Sequence, residues 1–235
     1  MKRRERNELY FEEIGDDFDK LMSDYDVAQR GRLVLELFPE KVAGRTLEVG
    51  CGTGAITKHY VDRVEELLLT DISERLAVEA AERFDVEGRA EDALALSFPD
   101  GSFDMVVSSE CVEHTPHPAR AVAEMMRVLK PGGHLVLTTP NRLWLGVVIV
   151  AQRLRIRKFQ GDERFLSIRQ LRRAVEENGG QLLRHTGCHL LPWQIPFIKP
   201  LLRRVDRYGN QFYRVMINQA VLAVKQATSD VGGQS

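Results

Sequence analysis

From about residue 45 the chain alternates short apolar runs with stretches whose apolar positions recur three and four apart. "RTLEVGC" (45–51), "EELLLTDI" (65–72), "FDMVVSS" (103–109) and "HLVLTTP" (134–140) read as strands. "SERLAVEAAERF" (73–84) and "ARAVAEMMRVL" (119–129) read as helices, the second stopped by the Pro and paired Gly of "LKPGG". "AITKHYVDRV" (55–64), behind the first strand, also reads as helical. "SIRQLRRAVEENGG" (167–180) is a further helix with Ser167 as its N-cap, and "QLLRHTGCHL" and "FYRVMINQAVLAVKQ" are two closing strands. This alternation predicts an α/β domain over 41–235, a mostly parallel sheet with helices on both faces, preceded by a helical cap over 1–40. Two segments break the alternation, at about 142–162 and 190–210. Both are strongly apolar and then basic, and both read as insertions at the C-terminal edge of the sheet.

The totals narrow the class. A chain of 235 residues can bury one sizeable core. Its formal charge of -1 removes the whole-chain argument for nucleic acid as a partner. Cys51, Cys111 and Cys188 are odd in number and scattered, so neither a disulfide framework nor a thiol-rich zinc site is expected, and a cytoplasmic setting fits best. "MKRRERNELYFEE" has no apolar signal-peptide core, and no run reaches the length of a membrane span.

The densest chemistry begins at "LEVGCGTG" (47–54). Gly50, Gly52 and Gly54 permit a tight turn against which a ligand can press. About twenty residues on, the second strand ends in Asp71, where a carboxylate can take the two hydroxyls of a ribose. A glycine turn followed by a strand-end acid reads as a nucleoside site. The dinucleotide fingerprint is GxGxxG, however, and these glycines run GxGxG with Glu48 two residues ahead.

That spacing resembles motif I of the class I S-adenosylmethionine-dependent methyltransferases. The resemblance continues through Asp71, "AEDALALSFPDGSFDMVVSS" (90–109) and "MRVLKPGGHLVLTTPN" (126–141), covering about residues 45–141. It implies a Rossmann-like, doubly wound, seven-stranded sheet with lid insertions, and S-adenosylmethionine as cofactor. Carried over residue by residue, it implies that Gly50, Cys51, Gly52 and Gly54 line the methionine part and that Glu48 holds the first turn through water or the amino group. Asp71 would bind the ribose hydroxyls, Ile72 would pack on the adenine face, Asp92 would accept from the adenine amino group while Ala93 offers its backbone, and Ser109 and Glu110 would close the site near the sulfonium. Tyr25, Arg30 and Arg32 are candidates for the methionine carboxylate.

The acceptor side turns on "ECVEH" (110–114). On a helix Glu110, Glu113 and His114 would share one face, a set that suits a divalent metal and that resembles the metal motif of the ubiquinone-pathway O-methyltransferases and the small-RNA 2′-O-methyltransferases. Those branches also carry a histidine ahead of the next helix; "FQGDERFLS" has none, leaving Asp162 or Glu163 as an oxygen ligand. Without metal, His114 and Glu113 are the candidate catalytic residues, since a hydroxyl acceptor must lose its proton.

Trp144, Trp193 and Phe197 can wall an apolar pocket, and Arg153, Arg155, Arg157, Lys158, Lys199, Arg203, Arg204 and Arg207 can meet anionic head groups or form a dimer face. The expectation is therefore transfer to a small, partly apolar or lipid-like metabolite, at oxygen, with peripheral membrane contact and a homodimer as further readings. N- or C-methylation and a non-catalytic cofactor-binding subunit are the alternatives.

Overall fold

The computed structural model describes residues 24–154, 163–191 and 199–227. Seven strands form a single sheet in the order β3-β2-β1-β4-β5-β7-β6. They are β1 (Val42–Val49), β2 (Val64–Asp71), β3 (Glu87–Ala90), β4 (Phe103–Ser109), β5 (Leu129–Pro140), β6 (Gly180–Cys188) and β7 (Asn218–Lys225). The first five run parallel, and β7 is antiparallel to both β5 and β6. Strand β1 therefore lies between β2 and β4, and the chain leaves its two sides in opposite directions. In an open parallel sheet that reversal opens a crevice at the carboxyl ends of the strands.

Alternate strand residues divide the core into two layers. Leu47, Val106, Leu135 and Leu137 face α3 (Pro118–Val128) and α5 (Ile168–Glu176), meeting Val122, Met125, Met126 and Leu171. Leu67, Leu69, Met105 and Val136 face the other way, onto α1 (Asp24–Leu37) and α2 (Glu74–Phe84). Period-2 strands between 3.6-period helices produce this arrangement directly. The helix ends follow their sequence signals: Ser73 accepts from Leu76 N, Pro118 opens α3, and Ser167 forms a capping box with Gln170.

Two segments depart from expectation. "AITKHYVDRV" is not an α-helix but two 3-10 turns, Thr57–His59 and Val61–Arg63. Its hydroxyls are drawn inward: Thr57 Oγ1 donates to Glu48 Oε2 at 2.6 Å, Tyr60 OH donates to the same oxygen, and the buried Tyr60 ring stacks on Phe38. Strand β3 carries no apolar run and pairs only with β2, so nothing in "EGRA" announced it.

Of the expected 1–40 cap, residues 1–23 lie outside the described residues, and α1 covers the ends of β5, β6 and β7. The first insertion contains α4 (Leu145–Arg153), and the second contains α6 (Lys199–Val205) and α7 (Gly209–Phe212). No helix among the described residues is long and apolar enough to cross a membrane.

Candidate functional site

The crevice is built by the turn after β1. Gly50 N and Cys51 N both donate to Thr70 O, at 2.8 and 3.0 Å, which ties the glycine turn to the end of β2. Gly50 has φ +76, and a Cβ there would lie 2.5 Å from Cys111 Cβ, so only glycine allows the turn to pass under the chain leaving β4. Asp71 closes the arrangement from the next strand. Its Oδ2 accepts from Gly52 N at 2.9 Å and its Oδ1 from Ser73 N at 3.1 Å. Burial raises this carboxyl above its ordinary value, partly offset by those backbone donors. Glu91 N hangs from Asp71 O, and Asp92 Oδ1 accepts from Leu94 N, which holds Asp92 and Ala93 beside the turn.

An open cleft results. Glu48, Gly50, Cys51, Gly52, Asp71, Ile72, Asp92, Ala93, Ser109, Glu110 and His114 all line it. Gly54 does not. It packs against α2, where a Cβ would lie 2.5 Å from Phe84 Cε2. The lining also includes Ile56, Leu76, Leu94 and Cys111, which carried no motif signal. Of the three N-terminal candidates only Arg30 reaches the cleft. Tyr25 OH donates to Asp206 Oδ2, and Arg32 Nη2 donates to Asp206 O.

One carboxyl at the floor, that of Glu48, is shaped by burial. Glu48 is 1% exposed, and its Oε2 receives the Thr57 and Tyr60 hydroxyls while Oε1 meets no hydrogen-bond partner among the described residues. Burial pushes it up to about 7, against the pull of the two hydroxyls. An orphaned carboxyl oxygen in the wall of a cleft is suited to a cation. Arg30, at the same cleft, is paired with Asp26 at 2.8 Å, both being nearly buried. With an acid at the ribose position, an unpartnered acid oxygen and a buried guanidinium, the donor set fits an amino-acid-bearing nucleoside.

The "ECVEH" stretch is not one helical face. Glu110 has φ +54, and Val112–His114 is a single 3-10 turn. Glu110 Oε1 accepts from Thr138 Oγ1 at 3.0 Å and Oε2 from Asn218 Nδ2 at 2.8 Å, so its side chain is fixed over the ends of β5 and β7. A non-glycine residue held in the left-handed region beside a cleft marks a site where the surroundings outweigh local preference. Glu113 turns away from the cleft lining; it is 1% exposed and accepts from Thr139 Oγ1 at 3.0 Å. Burial, then the nearby Glu110, holds the Glu113 carboxyl well above the usual range. The structure therefore does not bring Glu110, Glu113 and His114 together as ligands, and no group of three or more such side chains among the described residues could hold a metal ion. Asp162 lies outside the described residues, as do Trp193 and Phe197. Trp144 is anchored by its indole N–H to Val215 O at 2.9 Å. The thiols of Cys51, Cys111 and Cys188 are all pushed up by burial, so none is a ready nucleophile.

Residues 47–137 match the model of the methyltransferase domain family. The demethylmenaquinone methyltransferase of Renibacterium salmoninarum is 35% identical over 137 residues, covering 54% of this chain and 58% of that one. The ubiquinone biosynthesis O-methyltransferase of Methylococcus capsulatus is 38% identical over 109 residues, covering 43% of this chain and 46% of that one. The chain thus spans about half the length of the curated relatives it matches. An S-adenosylmethionine-dependent methyltransferase structure from Thermotoga maritima superposes with a TM-score of 0.70 at 20% identity, covering 94% of this chain and all of that one. Glycine turn, strand-end acid and sheet order agree with the matched domain: over residues 47–137 the chain is similar to the methyltransferase domain family, and its fold is that of the solved S-adenosylmethionine-dependent methyltransferases.

Proposed function

We propose that this protein methylates a small, partly apolar acceptor of the phenol or hydroquinone type, at a hydroxyl oxygen. The observation that carries the reading is the cleft itself, which joins a nucleoside end at Asp71 to an end bounded by Glu110 and His114. The relatives named for demethylmenaquinone and ubiquinone biosynthesis support the quinone-related class. The bound cofactor would supply an electrophilic methyl group on a sulfonium. In this chain Asp71 orients the ribose, Asp92, Ala93 and Ile72 hold the base, and Glu48 and Arg30 take the ammonium and carboxylate of the amino-acid end. Ser109 and Glu110 bound the reacting end, where alignment of nucleophile and methyl group contributes most. His114 accepts the hydroxyl proton, an assignment its place in the cleft lining supports. Glu113 serves as a buried brace between β5 and the 163–166 segment, through Thr139 Oγ1 and through Arg164 N donating to Glu113 O. The test is product analysis: purified protein, labelled S-adenosylmethionine and a panel of catechols and hydroquinones should yield an O-methyl ether by mass spectrometry. Label appearing only on ring carbon or on amines would overturn the oxygen reading, and no transfer to any member would overturn the acceptor class.

The Glu48 carboxyl gives this reading a pH signature. Its folded value of about 7 lies above the ordinary 4.5, so below pH 7 the empty protein favours the protonated form. Its contribution to stability is greatest below the ordinary value and declines as pH rises from 4.5 to 7. A cation held at Oε1 favours the ionised form, so cofactor binding should release a proton there. Affinity for S-adenosylmethionine is expected to rise about tenfold between pH 6 and pH 8, each pKa unit being about 1.4 kcal/mol. Calorimetry in buffers of different ionisation heat should show the proton release, and Glu48→Gln should abolish it. An unchanged proton count in the Gln variant would remove Glu48 from the ammonium site.

A further inference from the structure

The first insertion contains a helix whose orientation inverts the usual rule. Helix α4 buries no residue, and its half-exposed positions, such as Leu145, Val148 and Gln152, lie toward the protein. Leu143, Val147, Val150 and Leu154 follow one another at intervals of four, three and four, which is one stripe of a helix. They are 62%, 47%, 53% and 64% exposed, so that stripe faces outward. A surface helix normally shows solvent its polar side. Arg142 and Arg153, both exposed, flank the stripe.

Charge is distributed to match. From 142 to 158 the chain has Arg142, Arg153, Arg155, Arg157 and Lys158 and no acid, and from 199 to 215 it has five cations against Asp206, which is buried. Residues 142–158 and 199–215 together carry a net +9, leaving -10 on the rest of a chain of formal charge -1. They also meet in space. Trp144 Nε1 donates to Val215 O, and Asn141 Nδ2 donates to Arg214 O, next to the exposed Phe212 and Val215.

We infer that this face docks on the surface of a bilayer containing anionic lipid, with the α4 stripe in the acyl boundary and the flanking arginines among the head groups. An outward apolar stripe beside a basic margin is the composition of an interfacial helix. A second copy of the chain would set the exposed Arg142, Arg153, Arg204, Arg207 and Arg214 against their own counterparts, which disfavours self-association through this face. The outward stripe of α4 is aliphatic, Leu143, Val147, Val150 and Leu154, and offers nucleic acid no stacking side chain.

The test uses the full chain with sedimenting vesicles of phosphatidylcholine alone or with one quarter phosphatidylglycerol. Binding is read without turnover, so failure of the acceptor reading leaves this result standing. Wild type should partition onto the anionic vesicles, weakly onto the neutral ones, and less at high salt. Arg153→Glu should lower the partition coefficient roughly thirtyfold, each unit of charge near an anionic leaflet being worth about fivefold. The double variant Val147→Glu with Val150→Glu should abolish partition while keeping the wild-type melting temperature and S-adenosylmethionine affinity. Absence of wild-type partition, or equal binding by the variants, would overturn the inference. So would light scattering in which the double variant turns a dimer into a monomer and vesicle binding persists.

Discussion

Arg30→Met is expected to destabilise the protein by about 3–5 kcal/mol, the cost of leaving one member of a buried ion pair alone. Arg30 and Asp26 sit one turn apart on α1, 2.8 Å from each other and almost closed to solvent. Burial works against the charge of Asp26, and Arg30 with His189 outweighs it, holding the carboxyl below its ordinary value. His189 extends the cluster: Nε2 lies 3.0 Å from Asp26 Oδ1, and its backbone N donates to Asp206 Oδ1 at 2.8 Å. One buried network therefore joins α1, the end of β6 and the second insertion behind the guanidinium that lines the cleft. Removing Arg30 strands Asp26 in that network, and the melting temperature should fall by about 10 °C, at roughly 2–4 °C per kcal/mol for a domain of this size. Adding Asp26→Asn should restore much of the stability but none of the lost cofactor affinity, because the neutral amide no longer needs a counter-charge. A double variant that regains binding would show that Arg30 acts only through the fold.

How legible such a network was in the sequence depends on how local its signals are. The strands at 65–72 and 103–109 and the helices at 73–84, 119–129 and 167–180 were readable because each buries a periodic apolar face against the sheet. The glycine turn and Asp71 were readable because backbone geometry and strand-end chemistry confine the residue types there. The stretch 55–64 misled because its apolar spacing suits a helix, while Thr57 and Tyr60 are committed to Glu48, a partner from the preceding strand. "ECVEH" misled in the same way. Its spacing assumed helical dihedrals from residue 110, and long-range partners Thr138 and Asn218 hold Glu110 at φ +54 instead. Arg30 stood among three equal candidates until α1 was placed, since only its rotation about the helix axis separates it from Tyr25 and Arg32.

Asp71→Ala should weaken S-adenosylmethionine binding at least a hundredfold, about 2.7 kcal/mol, within the range for removing hydrogen bonds to a charged group. Two effects combine. The carboxylate fixes the glycine turn through Gly52 N and caps the approach to α2 through Ser73 N, so its loss slackens the surface on which the ligand rests. It also removes the acceptors proposed for the ribose hydroxyls. Stability should change less than affinity, because burial already raises the carboxyl and the empty protein gains from losing that desolvated charge. Asp71→Asn separates the two contributions. Its amide oxygen can still accept from one of the two backbone donors, so the turn is partly kept, while the ionised acceptor is gone. If recognition of the hydroxyls dominates, Asn should bind nearly as poorly as Ala; if building the turn dominates, Asn should recover most of the affinity. Calorimetric affinities for the three proteins decide between them, and a loss below about threefold in the Ala variant would refute the ribose assignment that the strand-end position implies.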